Sequence, residues 1–294
     1  MQESEATTLA DARSLEREIM NEQAAVYRDL TAAWGLNYRY ERAEFIEWVL
    51  AKLRDSGAQP NQLRFLDVGC GTGELLELLH ESGCTHLAGL DLAEEMLSQA
   101  RRFVPDADLF LGTVEDHPFE DNGFDVVIAA FTVHHLFDPE AFFRMVRDVL
   151  RPGGWFFILD YNGDAWACRR WTHWALRALV FPWRVAARTK NRAEIAKQPK
   201  MALRFNPAHR LLNFREFNAF AEACGLHVET MIHGVFPLWF NNDLFHSSSF
   251  DRASMRFLRS ADRIVKSDNA GLFQWMHGRV QALDTGDPRL KEGQ

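Results

Sequence analysis

The chain has 294 residues, 47% of them hydrophobic and 25% charged, which is enough apolar material for a packed core and argues against wholesale disorder. A formal net charge of −8 argues against a general nucleic-acid binder, whose phosphate contacts need clustered Lys and Arg. The polar start MQESEATTLADARSLERE lacks an apolar signal stretch, and no uncharged apolar run reaches the ~18–20 residues of a membrane span, so a cytoplasmic protein is expected.

In chain order, residues 1–13 are expected to fray. Ser14 to Leu53 reads as helix, broken into two by Gly35 and Asn37, and Asp55 to Asn61 is a turn-rich connector. The rhythm then changes. Arg64–Val68 is a strand, Glu74–Ser82 a helix and His86–Leu90 a second strand. Ala93–Phe103 is a helix and Leu109–Leu111 a third strand. The apolar run Phe124–Ala130 reads as a strand covered on both faces. Pro139–Leu150 is a helix that stops at Arg151-Pro-Gly-Gly154, and Trp155–Leu159 is a fifth strand. Strands alternating with helices of about ten residues imply right-handed crossovers and a parallel sheet. Residues 162–212 interrupt the alternation. Phe214–Cys224 resumes it as a helix closed by Gly225, Leu226–Ile232 is a sixth strand, and Phe257–Val265 looks helical. Leu272–Leu283 fits a final strand or a helix equally. These breaks divide the chain into an N-terminal helical cap (1–60), a Rossmann-like core (61–161), a helical insertion (162–212) and a C-terminal completion of the sheet (213–294).

The segment Asp67-Val-Gly-Cys-Gly-Thr-Gly73 follows the first strand and opens a helix. Glycines at 69, 71 and 73 allow a tight turn and let a ligand lie against bare backbone, and the helix start offers N–H groups to an anion. The third glycine of a dinucleotide-binding fingerprint is missing, since Glu74 stands there. Asp91 closes the second strand in Gly-Leu-Asp-Leu, where a carboxylate accepts both hydroxyls of a ribose; it also suits an N-cap for the helix beginning at Ala93.

Four blocks, LDVGCGTG (66–73), GLDLAEEML (89–97), GTVEDHPFEDNGFDVVIA (112–129) and VLRPGGWFFILD (149–160), resemble the class I S-adenosylmethionine-dependent methyltransferases. The likeness is to the broad group containing quinone-ring and other small-molecule methyltransferases. It implies an α/β, Rossmann-like, doubly wound and mostly parallel seven-stranded sheet with its last strand antiparallel, a helical segment before it and a helical insertion after the fifth strand. It implies S-adenosylmethionine as cofactor. Gly69, Gly71 and Gly73 would cradle the methionine moiety, and Asp67 would orient the loop and the amino group. Asp91 would hold the ribose, with Leu92 and Met96 beside the adenine. Thr113, Val114 and Glu115 would meet the adenine edge, and Ala130 would face the cofactor from the fourth strand. Many relatives carry Asp where Thr113 stands.

Methyl transfer to such an acceptor is an in-line displacement, which needs alignment and exclusion of water, and a base only where the acceptor must lose a proton. His134 and His135, just past the fourth strand, are the candidate bases or acceptor contacts; His209 and His233 are weaker ones. No Asn/Asp-Pro-Pro-aromatic motif of base-amino methylation is present. Asp160 and Asn162 have no partnering acid at the end of the fourth strand, so no metal is expected. The four cysteines, Cys70, Cys84, Cys168 and Cys224, make no CxxC pair or zinc spacing, do not match arsenic methylation, and read as reduced thiols. The expected reaction is methylation at O, N or C of a small or medium, largely apolar acceptor, with lipid linkage open. The alternative is a catalytically silent, cofactor-binding partner protein.

Residues 165–204 carry ten Lys or Arg against one acid, Glu194. Within WACRRWTHWALRALVFPW (166–183), Arg169, Arg170, His173 and Arg177 share one helical face, and Trp171, Trp174, Ala178 and Phe181 another. A cap helix, a lid over an apolar acceptor, and peripheral contact with anionic membrane all fit this pattern. RNA binding fits it least, and oligomeric state is left open.

Overall fold

The computed structural model describes residues 9–33, 36–163, 209–234 and 273–280. The Trp/Arg-rich stretch, the helix expected over Phe257–Val265 and Cys168 lie outside the described residues.

Seven strands form one sheet, β1 (Arg64–Val68), β2 (His86–Asp91), β3 (Asp108–Leu111), β4 (Phe124–Ala130), β5 (Leu150–Tyr161), β6 (Leu226–Gly234) and β7 (Phe273–Val280), in the order β3-β2-β1-β4-β5-β7-β6. β7 pairs antiparallel with both β5 and β6, and the other ladders are parallel. The segment that fitted strand or helix is thus the antiparallel strand β7. β5 begins at Leu150, earlier than the Trp155 expected. Phe124 pairs with Leu150 and Val126 with Trp155, so Arg151-Pro-Gly-Gly154 is a bulge in the ladder and not a break between elements.

Strand side chains alternate between two cores. Phe65, Val126, Ile128, Phe157 and Leu159 face one, with Phe45, Val49, Leu76 and Leu79 packed on them. Leu66, Val127, Ala129, Phe156 and Ile158 face the other, against Phe142, Phe143, Val146 and Phe217. This period-two split makes β4 read as one unbroken apolar run. Phe142 and Phe143 lie on a helix over Pro139–Val149 whose N-cap Asp138 accepts the Ala141 N–H at 3.2 Å; both rings are fully buried, each contributing about 2–3 kcal/mol of transfer free energy.

The N-terminal segment differs from expectation. Three helices run over Leu9–Gln23 (α1), Tyr27–Ala33 (α2) and Leu36–Asp55 (α3), with a short 3-10 turn at Ala24–Val26. α1 starts within the stretch expected to fray, and Asn37 lies inside α3. The reason is tertiary. Ala12, Glu16, Ile19 and Gln23 are buried along one face of α1, which packs on the helix α5 (Glu94–Phe103). Between α3 and α5 lies α4 (Glu74–Glu81); α6 is the Pro139–Val149 helix and α7 spans Phe214–Ala223. α7 opens on a capping box between Asn213 and Glu216. Among the described residues no helix is long and apolar enough to cross a membrane.

From β1 the chain winds outward through β2 and β3, then returns to place β4 on the other side of β1. The carboxyl ends of β1 and β4 therefore face each other at a switch in strand order, where open α/β sheets leave a crevice.

Candidate functional site

The loop after β1 is built to bend tightly. Gly69, Gly71 and Gly73 have φ of 72°, 52° and 80°, a region that costs other residues energy. The Gly69 and Cys70 N–H groups both donate to the Leu90 carbonyl, at 2.7 and 3.0 Å, tying the loop to β2. A Cβ on Gly69 would lie 2.4 Å from Cγ2 of Thr132, so glycine here lets the β1 and β4 loops touch. At Gly71 a Cβ would meet nothing within 4 Å, because Gly71 borders open space. Gly73 has a third role. It is the N-cap of α4, and a Cβ there would meet Val104 and Ala100 of the α5 region, so a glycine here serves helix packing.

Asp91 spans two elements. Its Oδ2 accepts the Gly71 N–H at 2.8 Å and its Oδ1 accepts the Ala93 N–H at 2.9 Å. α5 begins at Glu94 with Ala93 as its N-cap, so Asp91 is not the cap; it fixes the loop just before the helix. Burial raises its pKa to about 6, against the lowering pull of those two N–H groups. Asp67 sits beneath the loop, fully buried, with Oδ2 lacking a hydrogen-bond partner. Burial lifts its pKa to about 7, opposed by Arg42 and reinforced by Asp91.

A cleft runs along these groups. Of the residues expected there, Gly69, Gly71, Asp91, Leu92, Met96, Thr113, Val114, Glu115 and His135 line it. Asp67, Gly73, Ala130 and His134 do not; the β4 end reaches the cleft through Phe131 and Thr132 instead of Ala130. Phe131 is held at a φ of 56°, uncommon for a bulky side chain, and its N–H donates to Leu159 at 2.7 Å. Thr113 spends its hydroxyl on the Glu115 and Asp116 N–H groups at 3.3 and 3.1 Å, so it shapes its own turn.

The sequence reading missed the wall supplied by α1 and α2. Arg13, Glu16, Met20 and Tyr27 line the cleft, and Arg13 pairs with Glu115 across it. Arg28 donates to the Thr72 carbonyl and to Glu77, both at 2.7 Å, which anchors α2 on the glycine loop. The available signal was Glu16 itself, an acid on the same helical stripe as Ala12, Ile19 and Gln23.

At the far wall, His134 and His135 occupy the 3-10 turn Val133–His135. His134 is held from behind: its backbone N–H donates to Asp160 Oδ2 at 3.0 Å and its Nδ1 lies 2.6 Å from Oδ1. His135 Nδ1 lies 2.8 Å from Glu16 Oε1, and His209 Nε2 lies 2.9 Å from Glu16 Oε2. Burial would raise Glu16, but the bonds from His135 and His209 hold its pKa down at about 2. Burial lowers His135 to about 4, with His134 adding to the effect. His209 therefore joins the site, whereas of His233 only the backbone, on β6, is described. Cys70, Cys84 and Cys224 are buried free thiols, and burial pushes the Cys70 thiol up.

Residues 66–158 match the family described as "Methyltransferase domain". Over this segment the chain is similar to the S-adenosylmethionine-dependent methyltransferases. The demethylmenaquinone methyltransferase of Chlorobaculum tepidum is 35% identical over 97 residues, which is 33% of this chain and 40% of that one. The ubiquinone biosynthesis O-methyltransferase of Xanthomonas axonopodis pv. citri is 35% identical over 122 residues, 40% of this chain and 48% of that one. An uncharacterized methyltransferase of Mycobacterium tuberculosis reaches 37% over 134 residues, 43% and 51% of the two chains. The chain thus spans about half the length of the curated relatives it matches. Among solved structures, a SAM-dependent methyltransferase of Thermotoga maritima aligns with a TM-score of 0.58 at 15% identity, covering 90% of this chain and 99% of that one. A second, from Mesorhizobium loti, aligns with a TM-score of 0.50 at 19% identity, covering 78% and 96%. At these identities the likeness is one of fold. The residues present fit the cofactor that the methyltransferase domain implies: Asp67 keeps a buried carboxylate oxygen unpaired, and Gly71 leaves open a space that a side chain would fill.

Proposed function

We propose that the protein transfers a methyl group from S-adenosylmethionine to a small or medium, largely apolar acceptor. The observation that carries this reading is one continuous cleft. It is lined at one side by Gly69, Gly71 and Asp91, and at the other by Phe131, His135, Leu136 and Phe137. When bound, the cofactor supplies an electrophilic methyl on a sulfonium. Gly69 and Gly71 would hold its amino-acid portion, Asp91 its ribose, and Leu92, Met96 and the Thr113–Glu115 turn its adenine. The orphaned Asp67 oxygen suits a cationic amino group.

The chain's own task is alignment and dryness. Met20, Tyr27, Phe131, Leu136 and Phe137 give the cleft an apolar lining that favours an apolar acceptor and excludes water. Glu16 and His135 are polar groups on that wall, and His134, locked by Asp160, stands behind them. An acceptor that must lose a proton would meet them first. The quinone-directed names of two relatives agree with an apolar ring compound as acceptor.

The test incubates the purified full chain with methyl-labelled S-adenosylmethionine and small-molecule and lipid extracts of its host. Label passing to an extractable apolar compound supports the reading. Tight cofactor binding with no transfer to any extract would replace it with a cofactor-holding protein that does not turn over.

A further inference from the structure

We propose that Glu16, His134, His135 and His209 form a binding site for a divalent first-row transition metal at the acceptor wall of the cleft. One ring nitrogen of each of the three histidines lies within 4.8 Å of the other two. Glu16 tightens the group: its two oxygens lie 2.8 Å from His135 Nδ1 and 2.9 Å from His209 Nε2, and those two nitrogens are 3.0 Å apart.

Hydrogen bonds alone do not satisfy this triangle. For the ionised Glu16 to accept from both rings, both nitrogens must carry hydrogens aimed at its oxygens, and the 3.0 Å contact between the two nitrogens then cannot be a hydrogen bond. If one nitrogen is bare it accepts from the other, and the carboxylate loses a donor. A cation between three lone-pair donors removes the conflict. Metal–nitrogen and metal–oxygen bonds of about 2.0–2.2 Å set neighbouring ligand atoms roughly 2.9–3.4 Å apart, close to the spacing seen here.

The surroundings agree. Glu16 is almost fully buried, and a buried carboxylate needs compensating charge or donors. Asp160 takes the Nδ1 proton of His134, which leaves the Nε2 lone pair for a ligand; a carboxylate behind an imidazole is the usual outer support of a metal-binding histidine. Tyr161 also donates its N–H to Asp160, at 2.7 Å, fixing that support. The ligands come from α1, from the turn after β4 and from the residues ahead of α7, so only the folded chain assembles them. Imidazoles with one carboxylate favour zinc, iron or a neighbouring metal over magnesium or calcium.

The site also narrows the acceptor, and this step alone rests on the methyl-transfer reading. An acceptor hydroxyl coordinated beside His135 would give its proton to bulk water and keep the electron pair on oxygen. That pair forms the new O–C bond while the S–C pair stays on sulfur, leaving a neutral thioether. An oxygen acceptor is therefore favoured over carbon or nitrogen.

The full chain, freed of metal by dialysis against EDTA, is titrated with cobalt(II) chloride and followed by visible absorption, and with zinc chloride by calorimetry. One equivalent should bind with the ligand-field bands of nitrogen- and oxygen-coordinated cobalt. Glu16→Gln and His209→Asn should abolish those bands, and Asp160→Asn should weaken metal binding by about 10–100-fold. Circular dichroism reports whether each variant folds, and the wild-type titration stands without them. A wild type that takes up no cobalt or zinc overturns the proposal. So does a folded Glu16→Gln or His209→Asn that binds as the wild type does. Calorimetry with S-adenosylmethionine on the same metal-free sample reports the cofactor site separately.

Discussion

Two aspartates beside the glycine loop set how proton and cofactor binding interact. Asp67 is raised to about 7 and Asp91 to about 6, in both cases by burial first. In the free protein around pH 6, Asp67 therefore holds a proton that an exposed aspartate has already lost. A folded-state pKa above the unfolded one contributes stability that is full below pH 4 and is lost as pH rises through 7. A cationic amino group placed beside Asp67 favours the ionised form, so cofactor uptake should release protons near pH 6–7. Affinity for S-adenosylmethionine should rise with pH across that window and level off above it. Calorimetry in two buffers of different ionisation enthalpy measures the release; equal heats and a flat affinity from pH 5.5 to 8 would reject the role of Asp67. Asp91→Ala should weaken cofactor binding by about 1–3 kcal/mol, the range for hydrogen bonds to a charged group. Part of that loss is internal, because Asp91 also holds the Gly71 and Ala93 N–H groups. An unchanged affinity would remove it from the ribose site.

The glycine loop separates two kinds of requirement within seven residues. At Gly69 the obstacle to a side chain is protein, the Thr132 side chain at 2.4 Å; at Gly71 no protein atom lies within 4 Å, and the space is the one the proposed cofactor would take. Gly69→Ala should lower the melting temperature markedly, since a positive φ and a clash with a buried wall coincide. Gly71→Ala should melt within a few degrees of the wild type, paying about 1 kcal/mol of backbone strain, yet lose cofactor binding because the new methyl enters the cleft. Thermal melts with and without cofactor decide; a Gly71→Ala protein that binds normally refutes the cradle. The loop was legible because its chemistry is local: glycines, strand and helix follow one another in 66–81. β4 was legible because burial on both faces leaves no polar residue to interrupt it except Asp125, near its start. β7 was not, since its antiparallel pairing with β5 and β6 depends on partners at least 39 residues away. For the same reason Glu16 escaped and His209 stood only as a weaker candidate. Each looks ordinary among its sequence neighbours, and only the fold brings them to His135 across 119 and 74 positions.

The molecule closes its cleft with helices that take no part in the sheet. α1 sends Arg13 to Glu115, Glu16 to His135 and His209, and Asn21 to the Glu95 N–H at 3.0 Å. α2 grips Thr72 and Glu77 through Arg28, and Arg42 of α3 pairs with Glu74 at 2.8 Å. The N-terminal helices thus touch the segments that follow β1, β2, β3 and β4, from which the cofactor's expected contacts come. A ligand that binds only the closed form stabilises the closing elements by mass action, about 2.7 kcal/mol at a hundred times its Kd. Amides of α1 should then exchange with deuterium up to about 100-fold more slowly when the demethylated cofactor is present at that excess. The sheet strands β4 and β5, buried on both faces, should change little. Arg13→Ala should reduce the protection of α1 and hasten cofactor release, because its bridge to Glu115 ties α1 to the far side of the cleft. If protection is confined to residues 66–115 and α1 exchanges as in the free protein, the helix is a static neighbour and the cleft is closed by other means.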